Sequence, residues 1–167
     1  MYDKLIPLLG KPIDSSEIKS LFMVWNVTQP KNIFCSPDYP ILKDKIEKHS
    51  IRLHFGIGGN SRSLKPQPAA REGRFTAQLV SIEFTKKRTD TIPFDVKFDM
   101  IPDEITAIMG APVVIDTTTT WRKNYTPKHE LVIKDAFVDN EMTRSMHLSF
   151  VFEPKLATFE DYKKKKY

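Results

Sequence analysis

Apolar residues recur along this chain with two different periods, and the two periods divide it into helices and strands. Ile18, Leu21, Phe22 and Trp25 fall at i, i+3, i+4 and i+7, behind Asp14-Ser-Ser-Glu17, which has the spacing of a capping box. The pattern predicts an amphipathic helix over residues 15–26. Ile105, Ile108 and Met109 share one face of a second, shorter helix, opened by Pro102 and stopped by Gly110. Elsewhere the period is two: Ile51, Leu53 and Phe55, then Val80, Ile82 and Phe84, then Met146, Leu148, Phe150 and Phe152. Such alternation belongs to strands with one buried face. Leu131-Val-Ile133 reads as a shorter strand, and the β-branched run Thr117–Thr120 as one that leads into Trp121.

The two halves echo each other. Glu17-Ile18 and Leu21-Phe22 match Glu104-Ile105 and Ile108-Met109, and Leu79–Phe84 shares its order of apolar and small positions with His147–Phe152. The expected fold is therefore α+β: one domain of two tandem helix-plus-antiparallel-strand units, residues 1–89 and 90–167, forming a curved sheet with the helices packed on one face. Ile92–Phe98 is read as a strand that bridges the units. Residues 43–49 are charged and read as a short solvated helix or an irregular lead into the strand at Ile51. Residues 58–74, rich in Gly, Pro and basic side chains, read as a mobile basic loop, and residues 163–167 as a basic tail.

Composition narrows the class. Of 167 residues 40% are hydrophobic and 11% aromatic, enough burial to offset chain entropy and to exclude wholesale disorder. The single cysteine, Cys35, rules out an intramolecular disulfide and any CxxC zinc pattern, which suits a reducing compartment. No signal-peptide h-region and no apolar run near the length of a membrane span is visible, so a cytoplasmic protein away from membranes is expected. The net charge of +5 is unevenly placed. Residues 62–88 hold seven basic side chains against two acidic ones, Lys163–Lys166 add four more, and the rest of the chain is mildly acidic, near −4. A nucleic-acid partner inferred from net charge therefore rests on the loop and tail, not on the body.

Chemistry-bearing motifs are few. Gly56-Ile-Gly58-Gly59 lacks the third glycine and the helix start of a phosphate-binding loop, and neither HExxH nor GxSxG occurs. Strand alternation places Arg52 and His54 opposite Leu53, Glu83 opposite Ile82, and His147 opposite Leu148. If both halves join one sheet, an Arg, two His and a Glu share a polar surface. Those are the ingredients of metal-free RNA cleavage, and also of an ordinary solvated sheet face. No catalytic residue, cofactor or metal is assigned. Trp25 lies on the apolar stripe of its helix. Trp121, Arg122 and Tyr125 form an aromatic and basic group of the kind that anchors protein interfaces, with core or sheet-edge packing as the alternative reading. The candidate partner contacts are thus Arg52, His54 and His147 on the polar face, Arg62, Lys65, Arg71 and Arg74 in the loop, and Trp121, Arg122 and Tyr125.

Leu8-Leu9-Gly10-Lys11-Pro12, followed by Ser16-Glu17-Ile18, and later Ile92-Pro93-Phe94, Asp103-Glu104-Ile105 and Gly110-Ala111-Pro112, resemble segments of small bacterial immunity proteins. Those proteins accompany polymorphic or contact-dependent growth inhibition toxins. The resemblance implies a non-enzymatic inhibitor that occludes the active site of a cognate toxin domain, a nuclease being the expected class. Two features depart from the family pattern: the Gly after Pro-Phe is Asp95 here, and the chain is basic where immunity proteins against basic nucleases are acidic. A nucleic-acid-binding module that uses the basic loop and Lys-rich tail is the alternative.

Overall fold

The structure, a computed structural model, describes residues 2–44, 46–57, 67–68, 73–87 and 92–151. Helix α1 (Ser16–Trp25) starts where Ser15 adopts an extended backbone and its hydroxyl accepts the Ile18 N–H at 3.4 Å. The cap is thus Ser15, one residue beyond the expected Asp14, and Glu17 pairs instead with Lys11 at 2.7 Å. The helix stops at Asn26, whose left-handed φ of 52° turns the chain away. Helix α2 (Pro102–Met109) has Pro at its first turn, and the Ile101 N–H donates to Glu104 Oε2 at 2.9 Å. It ends at Gly110, where a φ of +92° favours the residue without Cβ.

Among the described residues ten strands occur in chain order: β1 (Phe34–Cys35), β2 (Ile46–Lys48), β3 (Ile51–Gly56), β4 (Gln67–Pro68), β5 (Phe75–Thr76), β6 (Gln78–Phe84), β7 (Val113–Ile115), β8 (Thr118–Asn124), β9 (His129–Val138) and β10 (Glu141–Phe150). Seven of them make one antiparallel sheet in the order β2-β3-β6-β10-β9-β8-β7, and β1-β5-β4 form a small second sheet. Two-residue turns with both residues at positive φ close the hairpins: His49-Ser50 between β2 and β3, and Asp139-Asn140 between β9 and β10. That turn geometry matches the natural twist of paired strands.

One face of the large sheet is apolar. Ile51 and Leu53, Ile82 and Phe84, Met146 and Leu148, Leu131 and Ile133, and Trp121 are buried there in register. Each such side chain contributes about 1.5–3 kcal/mol by leaving water. Ile18, Phe22 and Trp25 of α1, Ile105 and Met109 of α2, and Leu5, Leu9 and Ile13 of the N-terminal segment join the same core. Phe22 meets Phe55 edge-to-face at 6.0 Å.

The expectation of an α+β fold made of tandem helix-plus-strand units is overturned: the fold is mainly β. Helices of ten and eight residues are roughly 15 and 12 Å long, whereas seven strands spread over roughly 29 Å, so the helices are too short to form a layer. The strands of both halves merge in a single sheet through the β6–β10 pairing. Three local readings also change. Residues 46–48 are a strand, Pro93–Asp95 is a short 3₁₀ turn with Phe94 at a φ of 64° and no bridging strand, and Leu131–Ile133 is the middle of a ten-residue strand. The reading of a basic tail at 163–167 lies outside the described residues, as does most of that of a mobile loop at 58–74. Among the described residues no helix is long and apolar enough to cross a membrane.

Candidate functional site

The face opposite the core carries a straight row of side chains. Glu47, Arg52, Glu83, His147, Val132 and Arg122 lie directly opposite one another in turn on β2, β3, β6, β10, β9 and β8. His54, Ser81, Ser149, Glu130 and Asn124 form the next row. Antiparallel pairing puts facing Cβ atoms about 4.5–5.5 Å apart, so chain-distant residues become immediate neighbours.

The centre of this face is a carboxylate shared by several groups. Glu83 Oε2 accepts from Arg52 Nη1 at 2.9 Å and lies 2.8 Å from His54 Nε2. Arg52 also donates to Glu47 Oε2, from Nη2 at 2.9 Å and from Nε at 3.2 Å. The rings of His54 and His147 are 5.7 Å apart, and one donor atom each of His54, Glu83 and His147 lie within 4.8 Å of one another. Side-chain exposures of 28% for His54 and 17% for Glu83 leave the group open to water.

Environment sets the protonation of this cluster. Burial pushes His147 down from 6.5 to about 4, against the pull of the Glu83 carboxylate, so it is neutral at physiological pH. For Glu83, burial acts upward, but the His54 hydrogen bond and the nearby His147 and Arg52 outweigh it and hold the carboxyl below its ordinary value. A neutral imidazole, a carboxylate and a second imidazole thus sit together as electron-pair donors. For RNA cleavage the set is less suited. Arg52 is engaged by two carboxylates, and those carboxylates repel the phosphate that Arg52 would have to stabilise.

The other expected contacts are scattered. Arg122 is on the same polar face and pairs with the buried Glu130. Trp121 points the opposite way: it is 1% exposed and its indole N–H donates to Thr106 Oγ1 at 3.0 Å, so it anchors α2 to the sheet and presents nothing to a partner. Tyr125 packs edge-on against Phe94 and donates to Asp3 Oδ1 at 2.5 Å. Arg74 lines a groove with Phe34, Cys35 and Tyr39 and is not part of the histidine cluster. Arg62, Lys65 and Arg71 lie outside the described residues. Cys35 is buried, and burial pushes its thiol up, away from reactivity.

Two charged pairs went unread in the sequence. Glu47 was hidden because residues 43–49 were not taken as a strand, although Ile46-Glu47 alternates correctly with Ile51-Arg52 across a tight turn. Asp135 and Arg144 face each other on β9 and β10, with Nη2–Oδ2 at 2.5 Å and Nε–Oδ1 at 2.6 Å. Arg144 Nη1 also donates to the carbonyls of Phe98 and Met100. Comparison with protein families, with characterised proteins and with solved structures found no match to this chain.

Proposed function

We propose that this chain is a non-enzymatic immunity protein of the bacterial cytoplasm, which binds a cognate toxin domain and occludes its active site, with the polar face of the large sheet as the docking surface. The observation that supports this reading is the charge balance around the histidines. Glu47, Glu83 and Glu130 stand beside Arg52, Arg122 and Lys134, so the described band offers both signs of charge on a rigid sheet. Such a surface suits a protein partner with a matching pattern, whereas nucleic-acid binding asks for a predominantly positive track. A nuclease toxin is the expected partner class, in keeping with systems of contact-dependent growth inhibition. The resemblance of Leu8–Pro12 and of the segments around Pro93 and Glu104 to immunity proteins points the same way.

Co-expression with the toxin-like domain encoded by the adjacent gene is expected to restore growth and to yield a stable complex on size-exclusion chromatography. A neighbour without a toxin-like domain, or a toxin whose effect on growth is unchanged, sinks the reading. The alternative, a nucleic-acid module built on the basic loop and tail, predicts binding to RNA or DNA that weakens steeply with salt, and the immunity reading predicts little such binding at physiological salt.

A further inference from the structure

We propose that His54, Glu83 and His147 form a binding site for a divalent transition-metal ion of the zinc class, independent of whether a toxin docks on the same face. The three residues come from three adjacent strands. Glu83 and His147 are cross-strand partners, and His54 reaches the same carboxylate diagonally from β3. Two imidazole nitrogens and one carboxylate oxygen are the donor types that zinc prefers at sites with three protein ligands and a fourth position left for water.

Geometry permits convergence on one ion. Metal–ligand bonds of about 2.0–2.1 Å place tetrahedral donors roughly 3.3 Å from one another. Here the closest pair is 2.8 Å apart and all three donor atoms lie within 4.8 Å, so rotation about side-chain torsions closes the set without moving a strand. The surrounding charges balance, with Arg52 and Lys134 near the cluster set against Glu47 and Glu83. Arg52 donates to Glu83 Oε2 and so orients the carboxylate, while Glu47 offsets the Arg52 charge. A hydrogen-bonded outer partner of this kind is what fixes a ligand carboxylate in metal sites. On binding, His54 Nε2 exchanges its contact with Glu83 for a bond to the metal, and its N–H is carried on Nδ1. The exposure of His54 and Glu83 gives the ion and its water a way in.

Titration calorimetry of the untagged 167-residue chain with Zn²⁺ tests the site. One ion per chain is expected at micromolar affinity or tighter, and Co²⁺ in its place should show the intense visible bands of low-coordinate cobalt. His147→Gln should weaken Zn²⁺ binding by more than about tenfold, since altering even an outer-shell partner costs that much. His129→Ala, outside the cluster, should leave it unchanged. If circular dichroism shows His147→Gln to be unfolded, the more exposed His54→Gln decides in its place. Absence of saturable binding to the native protein, or equal affinity in the folded ligand variant, overturns the proposal.

Discussion

Two arginine–carboxylate groups on opposite faces of one sheet have opposite characters. Arg144 and Asp135 sit on the core side, where Asp135 is 5% exposed and its two oxygens meet two guanidinium nitrogens in a fork. The remaining Nη1 is taken by the Phe98 and Met100 carbonyls, so the pair is closed on itself and ties the 98–100 segment to the sheet. On the other face, Glu83 Oε2 serves Arg52 and His54 together, His147 stands alongside, and water reaches the group. In the first group all three guanidinium nitrogens and both carboxylate oxygens are bonded, which is the character of a structural brace. The second is open and rich in electron pairs. The difference shows that similar residues in the same sheet are closed off or left open by which face they occupy and by how completely their partners satisfy them.

The strongest way to break the comparison is to remove one partner from each group. Arg144→Met leaves the Asp135 carboxylate buried and unpaired, and urea denaturation should show a loss of about 3–5 kcal/mol. Arg52→Met, on the partly exposed side, should cost about 1 kcal/mol or less, because Glu47 and Glu83 regain water. Equal losses would erase the distinction between brace and open site.

A second effect follows from His147. Its folded value of about 4 lies below the 6.5 of an unfolded histidine. Between those values the unfolded chain binds a proton that the folded chain refuses, so stability is fully present above pH 6.5 and falls as the pH drops towards 4. The loss is on the order of 3 kcal/mol before screening and relaxation reduce it. Urea midpoints between pH 7 and pH 4.5 should show it, and His147→Gln should flatten that part of the profile. A profile unchanged by the substitution contradicts the burial of a neutral imidazole.

The smallest effect sharpens the role of Glu83. Glu83→Gln keeps the shape of the side chain but removes the charge that Arg52 and His54 share, at a cost of about 1 kcal/mol. Because the carboxylate pulls the His147 value upward, its loss should push that value lower still, a shift that NMR titration of the His147 ring protons reads directly.

Much of the molecule was legible in local patterns. The helix over residues 15–26 and the strands at Ile51 and Val80 follow from periodicity, and α2 was bounded by Pro102 and Gly110, residues whose backbone restrictions act locally. The shared polar face of Arg52, His54, Glu83 and His147 was also legible, because alternation fixes the side of a strand on which a residue lies. The hairpins of the second half were obscured. Their outer stretches carry Thr, Lys, Asp and Arg on both faces near the sheet edge, which removes the period-two signal, although Asp139-Asn140 is a turn pair of the kind that closes hairpins. Trp121 could be read either as a binding anchor or as a core residue, because aromatic residues beside Arg are at home in both settings, and only the packing of α2 on β8 shows that it points into the core.

The sequence by itself determined the two helices, the strands at Ile51 and Ile82, and the side on which Arg52, His54, Glu83 and His147 lie, since these depend on steric rules that act over a few residues. Tertiary structure alone decided that β6 pairs with β10, that both halves enter one mainly-β sheet, and that Glu83 stands opposite His147 rather than elsewhere along the strand. Register between distant strands is chosen by burial of a whole face at once. No short stretch of sequence contains that sum, so the site exists only after the chain has folded.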